Sequence, residues 1–277
     1  MSDLALQAEH LKLARLLGCE EAQVATLTGL NVAAFRALRA ACTSMLFDGD
    51  RAGLQRVASA AKLMPAALNA LLAEKAMGPV LASRVAGLLP PQDAVEIAKR
   101  VPLSFNTQVT LLIDPRSAQP MLRRMPLDIV VAVTREVCKR REYIAMARFV
   151  DALSDEQIKA TMNVLDDESM LRIGFFVESP QRLEEVVGLM TAERLQKVMA
   201  VAAQPELDLG GAVLMLLSGV SPMLRTRLAE AALSHPEARV GESLVAAARA
   251  HGMLAMLEAL LANLKDAAAR RLAGLLS

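Results

Sequence analysis

Histidine and cysteine are the residues of this chain that could serve as general bases, nucleophiles or metal ligands near neutral pH. The three histidines are His10, His235 and His251, and the three cysteines are Cys19, Cys42 and Cys138. They are dispersed over 277 residues, no CxxC pair occurs, and no histidine is accompanied by suitably spaced carboxylates or cysteines. The sequence therefore predicts no catalytic residues, no metal site and no cofactor.

Glycine and acidic motifs give no better indication of an enzyme. The chain contains no GxGxxG, GxSxG or HExxH sequence. The glycine pair of DLGGAV (208–213) is better interpreted as a helix start or a close contact between helices. The acidic pairs Asp166–Asp167 and Glu184–Glu185 fall at expected helix starts or on solvated faces. We therefore expect a protein without enzymatic activity.

Charge is segregated in the middle of the chain. Residues 115–148 carry eight basic and three acidic side chains, a balance of +5, whereas residues 151–193 carry three basic and ten acidic ones, a balance of −7. The simpler interpretation is a solvated surface whose charges match the helix dipoles. The alternative is a bipolar surface for a charged protein partner or a second copy of the chain. The candidate partner-binding residues are Arg123, Arg124, Arg135, Lys139, Arg140 and Arg141.

Methionine is frequent, with 15 in the chain. Its flexible, polarizable side chain fills irregular gaps in cores and also suits adaptable binding grooves. Core filling is the ordinary interpretation, and a concave apolar groove for a partner helix or an acyl or sterol-like ligand is the alternative. The candidate groove residues are Met121, Met125, Met146, Met162, Met170 and Met199.

The segment AQVATLTGLNVAAFRAL (22–38) resembles a helix-turn-helix. In that interpretation Ala25 is the small residue, Gly29 the turn residue, and Phe35 and Leu38 belong to the core, with residues 31–39 as recognition helix. The outward positions are mostly alanine, however, and base recognition needs more donors and acceptors. An ordinary helical hairpin gives the same pattern. DNA binding through residues 22–39 is therefore the third functional hypothesis, and nucleic acid is otherwise not expected as a partner.

The C-terminal segment MLAMLEALLANLKDAAARRLAGLL (253–276) places leucine and alanine at spacings of three or four residues. This spacing predicts an amphipathic helix or helix pair. We expect it to cap the end of the fold. The alternative is that residues 253–276 mediate formation of a homo-oligomer.

These side chains must be positioned by helices. Apolar residues make up 54% of the chain but aromatic residues only 3%, so most of the apolar residues are helix-favouring Ala, Leu and Met together with Val. Breaks recur every 10–15 residues, and many join a capping Ser, Thr or Asp to a Pro or Glu, as in SDEQ (154–157), DDES (166–169) and TAER (191–194). No sustained period-two alternation occurs. The sequence predicts short helices and essentially no strand.

Several features bear on localisation. The 31 basic and 30 acidic residues nearly balance, and the odd number of separated cysteines is unlike a disulfide framework. The first residues lack a basic segment followed by an apolar one, so no signal peptide is predicted. The uncharged run 209–224 is shorter than the roughly 20 residues that span a bilayer, and we interpret it as a buried helix. We expect a cytoplasmic protein with no membrane span.

Two short phrases occur twice. PQDAVEIAKRVP (91–102) returns as PRSAQPMLRRMP (115–126), with proline at both ends and apolar residues at matched positions. SDEQIKATMNV (154–164) returns as TAERLQKVMAV (191–201). Each phrase predicts one helix. Because a helix or hairpin of this length cannot bury its apolar face alone, recurrence indicates stacked helical repeats.

The sequence LPPQDAVEIAKRVP, followed by IDPRSAQPMLRRMP and LSDEQIKATMNVLDDES, resembles the intracellular N-terminal domain of MgtE-type magnesium transporters over roughly residues 79–203. That domain is a superhelix of short helices, similar to the armadillo-like middle region of the flagellar motor switch protein. The resemblance implies a HEAT-like or armadillo-like fold. The acidic magnesium ligands of that family have no residue-by-residue match here, so the resemblance implies no ion site.

We therefore predict an all-α protein, a right-handed superhelix (α-solenoid) of about 18–20 short helices. Residues 1–76 would form an N-terminal helical cap region. Residues 77–277 would form the repeat array with C-terminal capping helices, around one continuous core. The predicted function is a non-catalytic cytoplasmic scaffold that binds a protein partner on its curved face. The alternative is a carrier of a hydrophobic, lipid-like small molecule in a methionine-lined groove.

Overall fold

The computed structural model describes residues 2–276, apart from the side chains of Ser2 and Ala238, and no residue in this range lies in a β-strand. Over this range the regular structure comprises twenty α-helices, a π-helix and a short 3-10 helix. The all-α class is confirmed, and the number of helices lies within the predicted range. The superhelical path and a boundary at residue 76 stay predictions.

The helices are short and follow one another closely. The first ten are α1 (Ser2–Leu17), α2 (Glu21–Val24), α3 (Val32–Asp48), α4 (Arg51–Ala61), α5 (Ala66–Leu72), α6 (Gly78–Ala86), α7 (Pro91–Ala98), α8 (Leu103–Leu112), α9 (Pro115–Leu122) and α10 (Leu127–Lys139). The others are α11 (Tyr143–Phe149), α12 (Asp155–Met162), α13 (Asp167–Phe176), α14 (Pro180–Gly188), α15 (Ala192–Ala202), α16 (Gly210–Gly219), α17 (Pro222–Leu233), α18 (Ala238–Ala250), α19 (Leu254–Glu258) and α20 (Asp266–Leu276). The π-helix is Ala73–Met77, and the 3-10 helix is Pro205–Leu207.

The predicted helix starts are confirmed. Ser154 caps α12, and Gln157 returns a hydrogen bond to the Ser154 backbone N–H to complete a capping box. Asp166 caps α13 and Thr191 caps α15 through their side-chain oxygens. Each copy of the repeated phrase forms one helix, α7 or α9, that begins at its proline.

The chain divides into two compact units. Unit 1 combines the chain up to Phe35 with the chain from Asp166 onward, and unit 2 is Arg36–Leu165. In unit 2, helices next but one in sequence contact each other, which gives the series α4, α6, α8, α10, α12 and the series α5, α7, α9. In unit 1 the corresponding contacts join α13, α15 and α17, and α14, α16, α18 and α20.

Unit 1 has an extensive apolar core centred on α16. Leu214 and Leu217 of this helix are fully buried, as are Leu257 and Leu272 of α19 and α20. The prediction of a buried helix in the run 209–224 is therefore confirmed. Among the described residues, no helix combines the length and the apolar character that a membrane crossing requires.

The glycine pair of α16 makes the close helix contact that the sequence suggested. Gly210 begins the helix, and a Cβ atom placed on it would lie 2.8 Å from the Ala247 Cβ of α18. A Cβ on Gly211 would lie 3.0 Å from a methyl group of Leu4. Glycine at these positions allows the backbone of α16 to approach α18 and α1.

Polar side chains tie neighbouring layers together by capping helix C-termini. Gln157 of α12 is 2% exposed, and its Nε2 donates to the carbonyls of Leu122, the last residue of α9, and of Met125, at 2.8 and 2.9 Å. Arg271 of α20 donates to carbonyls at the end of α17. Such bonds satisfy carbonyl groups that a helix end leaves without intrahelical partners.

Candidate functional site

Unit 2 contains an apolar cavity with a volume of about 320 Å³. Helices α4 to α9 and the π-helix contribute its lining, which consists of 25 residues. Only three of these residues are polar, namely Asn69, Asn106 and Thr110, and none is charged. The chemistry of the cavity is therefore that of a hydrocarbon surface with a few neutral hydrogen-bonding groups.

The repeated phrase forms part of the cavity wall. Ile97 of the first copy and Met121 of the second occupy matched positions, and both line the cavity. The same holds for Val101 and Met125. Because α7 contacts α9 in successive layers, equivalent apolar positions come to lie side by side. Sequence repetition thus produces a continuous apolar surface.

Alanine explains why space remains between these helices. Eight of the lining residues are alanine, namely Ala60, Ala61, Ala73, Ala76, Ala82, Ala86, Ala94 and Ala98. A methyl side chain cannot fill the gap between helices, whereas cores are normally packed with few voids larger than a water molecule. Phe105 and Val101 lie in a small buried cluster beside the cavity with Ala73 and Ala82.

A π-helix borders the cavity. Ala73, Ala76 and Met77 of this segment line it, and Gly78 follows with a positive φ of 69°. π-Helical segments are rare and are found frequently at functional sites, because they interrupt the regular i to i−4 bonding of an α-helix. The break in regular α-helical hydrogen bonding therefore lies in the wall of the apolar cavity of unit 2.

The polar groups of the cavity have a defined orientation. Asn106 Nδ2 donates to the Ala98 carbonyl at 2.8 Å, and Asn69 Nδ2 donates to the Ala61 and Met64 carbonyls at 2.8 and 3.2 Å. Since carbonyl oxygens only accept, each amide nitrogen must face them, and each Oδ1 is left as the acceptor available to a ligand. Within residues 2–276 no donor contacts either Oδ1.

The predicted groove methionines are distributed over both units. Met121 and Met125 line the cavity. Met146 and Met162 are half-buried elsewhere in unit 2. Met170 packs against the core of unit 1, and Met199 is buried within that core. Met64 and Met77, which were not among the predicted groove residues, also line the cavity.

All six candidate basic residues are exposed. Arg123 and Arg124 follow the last residue of α9, and Arg124 donates to the Pro120 carbonyl at 3.1 Å. Arg135 and Lys139 lie on α10, and Arg140 and Arg141 follow its end. Lys139 Nζ contacts Glu136 Oε1 at 2.7 Å, and this hydrogen bond lowers the pKa of Glu136.

The helix-turn-helix interpretation is wrong in one placement. Leu38 is 37% exposed, although it was assigned to the core. Ala25, the expected small residue, is exposed. Phe35 is buried as expected and makes an edge contact with His10 at a ring-centroid distance of 4.6 Å. The helix that precedes the turn of this segment is α2, which has only four residues and ends at Val24.

The C-terminal segment forms the expected helix pair, α19 and α20. Leu257, Leu260, Leu264, Ala268 and Leu272 of its apolar stripe are buried in the core of unit 1. The apolar stripe therefore already packs against the core of its own chain. Association of two copies through these side chains would require the helix pair to leave that core.

The three polar lining residues were not predicted from the sequence. A signal for two of them was present, because PAALN (65–69) and PLSFN (102–106) both place asparagine four residues after proline. Thr110 has no comparable signal, since its role depends on which face of α8 meets the cavity. Among residues 2–276, no group of three or more His, Cys, Asp or Glu side chains has metal-binding geometry.

Comparison with protein-family models, curated proteins and solved structures found no match. The residues quoted above are therefore the basis of the resemblance to the MgtE N-terminal domain.

Proposed function

We propose that unit 2 is a non-catalytic binding module that holds a hydrophobic small molecule in its alanine- and methionine-lined cavity. The observation that carries this proposal is the 320 Å³ cavity, whose lining contains no charged side chain. Ligand pockets in proteins span about 300–1,000 Å³ and combine an apolar lining with a few placed polar groups. Four methionines in the lining would let the wall adapt to ligands of somewhat different shape.

The hydrophobic effect supplies the driving force for such binding. Each methylene group transferred from water to an apolar site contributes about 0.8 kcal/mol. A chain of roughly ten carbons therefore gains about 8 kcal/mol, which corresponds to a Kd of about 1 μM before the cost of association is subtracted. No charged partner is needed for this affinity, which agrees with the neutral lining.

Uptake of 1,6-diphenylhexatriene, a hydrocarbon that fluoresces in apolar surroundings, tests the proposal. The purified protein should bind this probe saturably. Ala98→Leu should weaken binding at least tenfold, because Ala98 lines the cavity and the larger side chain would occupy it. Ala67→Leu is the matched control, since Ala67 is exposed on neighbouring α5 and does not line the cavity.

Thermal unfolding of the same variants shows whether Ala98→Leu fills an existing space. A side chain that enters a cavity should leave the Tm unchanged or raise it, whereas overpacking of a filled core costs about 1–3 kcal/mol. Failure of the wild-type protein to bind the probe, or equal binding by Ala98→Leu, would contradict the proposal. Native mass spectrometry of protein from its expression host should also reveal a bound apolar molecule.

We further propose that both units are helical-repeat stacks of the HEAT or armadillo kind, as the resemblance to the MgtE N-terminal domain implies. The support is the contact between helices next but one in sequence, which runs from α4 to α12 and α5 to α9 in unit 2, and from α13 to α17 and α14 to α20 in unit 1. Hydrogen bonds between layers also recur at similar separations, 35 residues for Gln157 to Leu122 and 37 for Arg227 to Met190. Repeats of one hairpin give such constant separations.

Binding of an acidic protein partner is a second candidate function, favoured by the exposure of the six basic residues around the ends of α9 and α10. Arg123→Glu combined with Arg140→Glu should abolish capture of a specific partner from the native host. Arg56→Glu, an exposed residue of α4 outside this group, is the control. A partner retained by the double variant would argue against this surface.

A further inference from the structure

Asn106 and Thr110 present complementary hydrogen-bonding groups on one face of α8. They are four residues apart, so their side chains lie one helical turn from each other, and both line the cavity. Asn106 offers Oδ1, an acceptor, because its Nδ2 is bound to the Ala98 carbonyl. Thr110 offers a hydroxyl, which both donates and accepts, and within residues 2–276 nothing bonds to it.

We infer that the cavity selects a neutral hydrocarbon-like molecule that carries a hydroxyl group, of the long-chain alcohol class. The inference rests on the proposed function and specifies its ligand. The ligand hydroxyl would donate to Asn106 Oδ1 and accept from the Thr110 hydroxyl. Its apolar part would contact the surface that includes Ile97 and Met121.

The same groups disfavour an ionised carboxylate or phosphate. Asn106 and Asn69 belong to the lining and each uses its amide nitrogen on a backbone carbonyl, so each contributes an acceptor oxygen whose partial negative charge would repel an anion. No lysine or arginine belongs to the lining, so nothing would replace the lost hydration of the anion. A pure hydrocarbon would be accepted but would leave the Asn106 acceptor without a donor.

Displacement of diphenylhexatriene by decan-1-ol and by decanoate at pH 8 tests the inference, because the two have equal chain length and differ in the head group. Decanol should displace the probe at least 10-fold more effectively than decanoate. Thr110→Val, nearly equal in volume, should weaken decanol about 2- to 10-fold, the loss expected for one neutral hydrogen bond. Affinity for the probe, which has no polar group, should not fall in the same variant.

Thr134→Val is the control, since Thr134 is half-buried on α10 and outside the lining. Equal displacement by decanol and decanoate, or no effect of Thr110→Val on decanol, would overturn the assignment of the ligand class while leaving the cavity as a binding site. Absence of probe binding by the wild-type protein would instead overturn the proposed function itself. The two failures are therefore distinguishable.

Discussion

Asn69 and Asn106 make the same hydrogen bond 37 residues apart: each side-chain amide donates at 2.8 Å to the carbonyl eight residues earlier. Each asparagine is the fourth residue of its helix, α5 or α8, and each carbonyl belongs to the last turn of a preceding helix. Arg225, the fourth residue of α17, donates to Leu217 with the same separation. A side-chain donor at the fourth position thus links a helix to the last turn of the preceding one.

Removal of these amides should destabilise unit 2. Asn106→Ala leaves the Ala98 carbonyl without its side-chain donor, and we expect a loss of about 1–2 kcal/mol in the free energy of unfolding. Asn69→Ala should cost more, because Asn69 is buried and serves two carbonyls. Urea unfolding followed by circular dichroism measures both changes.

Asn163→Ala is the comparison variant for these asparagines. Asn163 is an exposed C-cap residue of α12, and its substitution should change the free energy of unfolding by less than about 0.5 kcal/mol. Equal effects at positions 163 and 106 would mean that the amide bond to Ala98 contributes nothing to stability.

The contact between α16 and α18 should not tolerate a methyl group. Gly210→Ala would place Cβ 2.8 Å from the Ala247 Cβ, so one helix must shift, and we expect a loss of about 1–3 kcal/mol. Gly188→Ala is the control, because its Cβ would meet no atom within 4 Å and alanine is the better helix former. A Tm that falls for Gly210→Ala and not for Gly188→Ala confirms the close approach.

Local signals determined most of what could be predicted about the fold. Caps such as Ser154 and Asp166 act within one turn of backbone, so their residue types identify the helix starts directly. The repeated phrase predicted α7 and α9 for the same reason. Leu38 was misplaced because helical periodicity gives a face but does not say whether another helix covers it.

The candidate site was harder to predict, because a cavity is defined by side chains that are too small to fill it. Methionine content predicted Met121 and Met125 as groove residues, but small side chains such as Ala86 and Ala98 leave the volume of the cavity unfilled. An alanine in a helix has the same sequence signature whether it faces a neighbour closely or borders a void. Thr110 depends likewise on packing between layers, which no local pattern encodes.

Arg141 occupies a backbone conformation that suits glycine. It follows the C-cap Arg140 of α10 with φ 57°, and the N–H groups of Arg141 and Glu142 donate to the Cys138 and Val137 carbonyls, as in a Schellman motif. Arg141→Gly should therefore raise the free energy of unfolding by about 0.5–1 kcal/mol.

Arg140→Gly removes the same charge from a residue with an ordinary φ of −84°, and it should be neutral or destabilising. Comparison of the two variants in urea separates the backbone effect from the charge effect. The double variant Arg123→Glu/Arg140→Glu can then test partner binding without altering the backbone at Arg141. Identical stabilities for Arg141→Gly and Arg140→Gly would exclude strain at position 141.

Glu96 should titrate far below an ordinary glutamate. Hydrogen bonds from Lys99 Nζ at 2.7 Å and from Arg100 Nη1 at 2.6 Å lower the pKa of Glu96 to about 2. Because the folded pKa lies below the unfolded value of 4.5, these bonds stabilise the fold above pH 4.5, and the contribution disappears as the pH falls toward 2. Carbon-detected NMR titration measures the pKa directly.

Glu96→Gln removes that pH dependence, so the difference in unfolding free energy between wild type and variant should narrow as the pH falls from 4.5 to 2. The side chains are solvent-exposed, and 1 M salt should therefore also narrow the difference at pH 7. A Glu96 pKa near 4.5 at low salt would show that Lys99 and Arg100 do not hold the carboxylate in solution, because two persistent charge-assisted bonds must favour its ionised form.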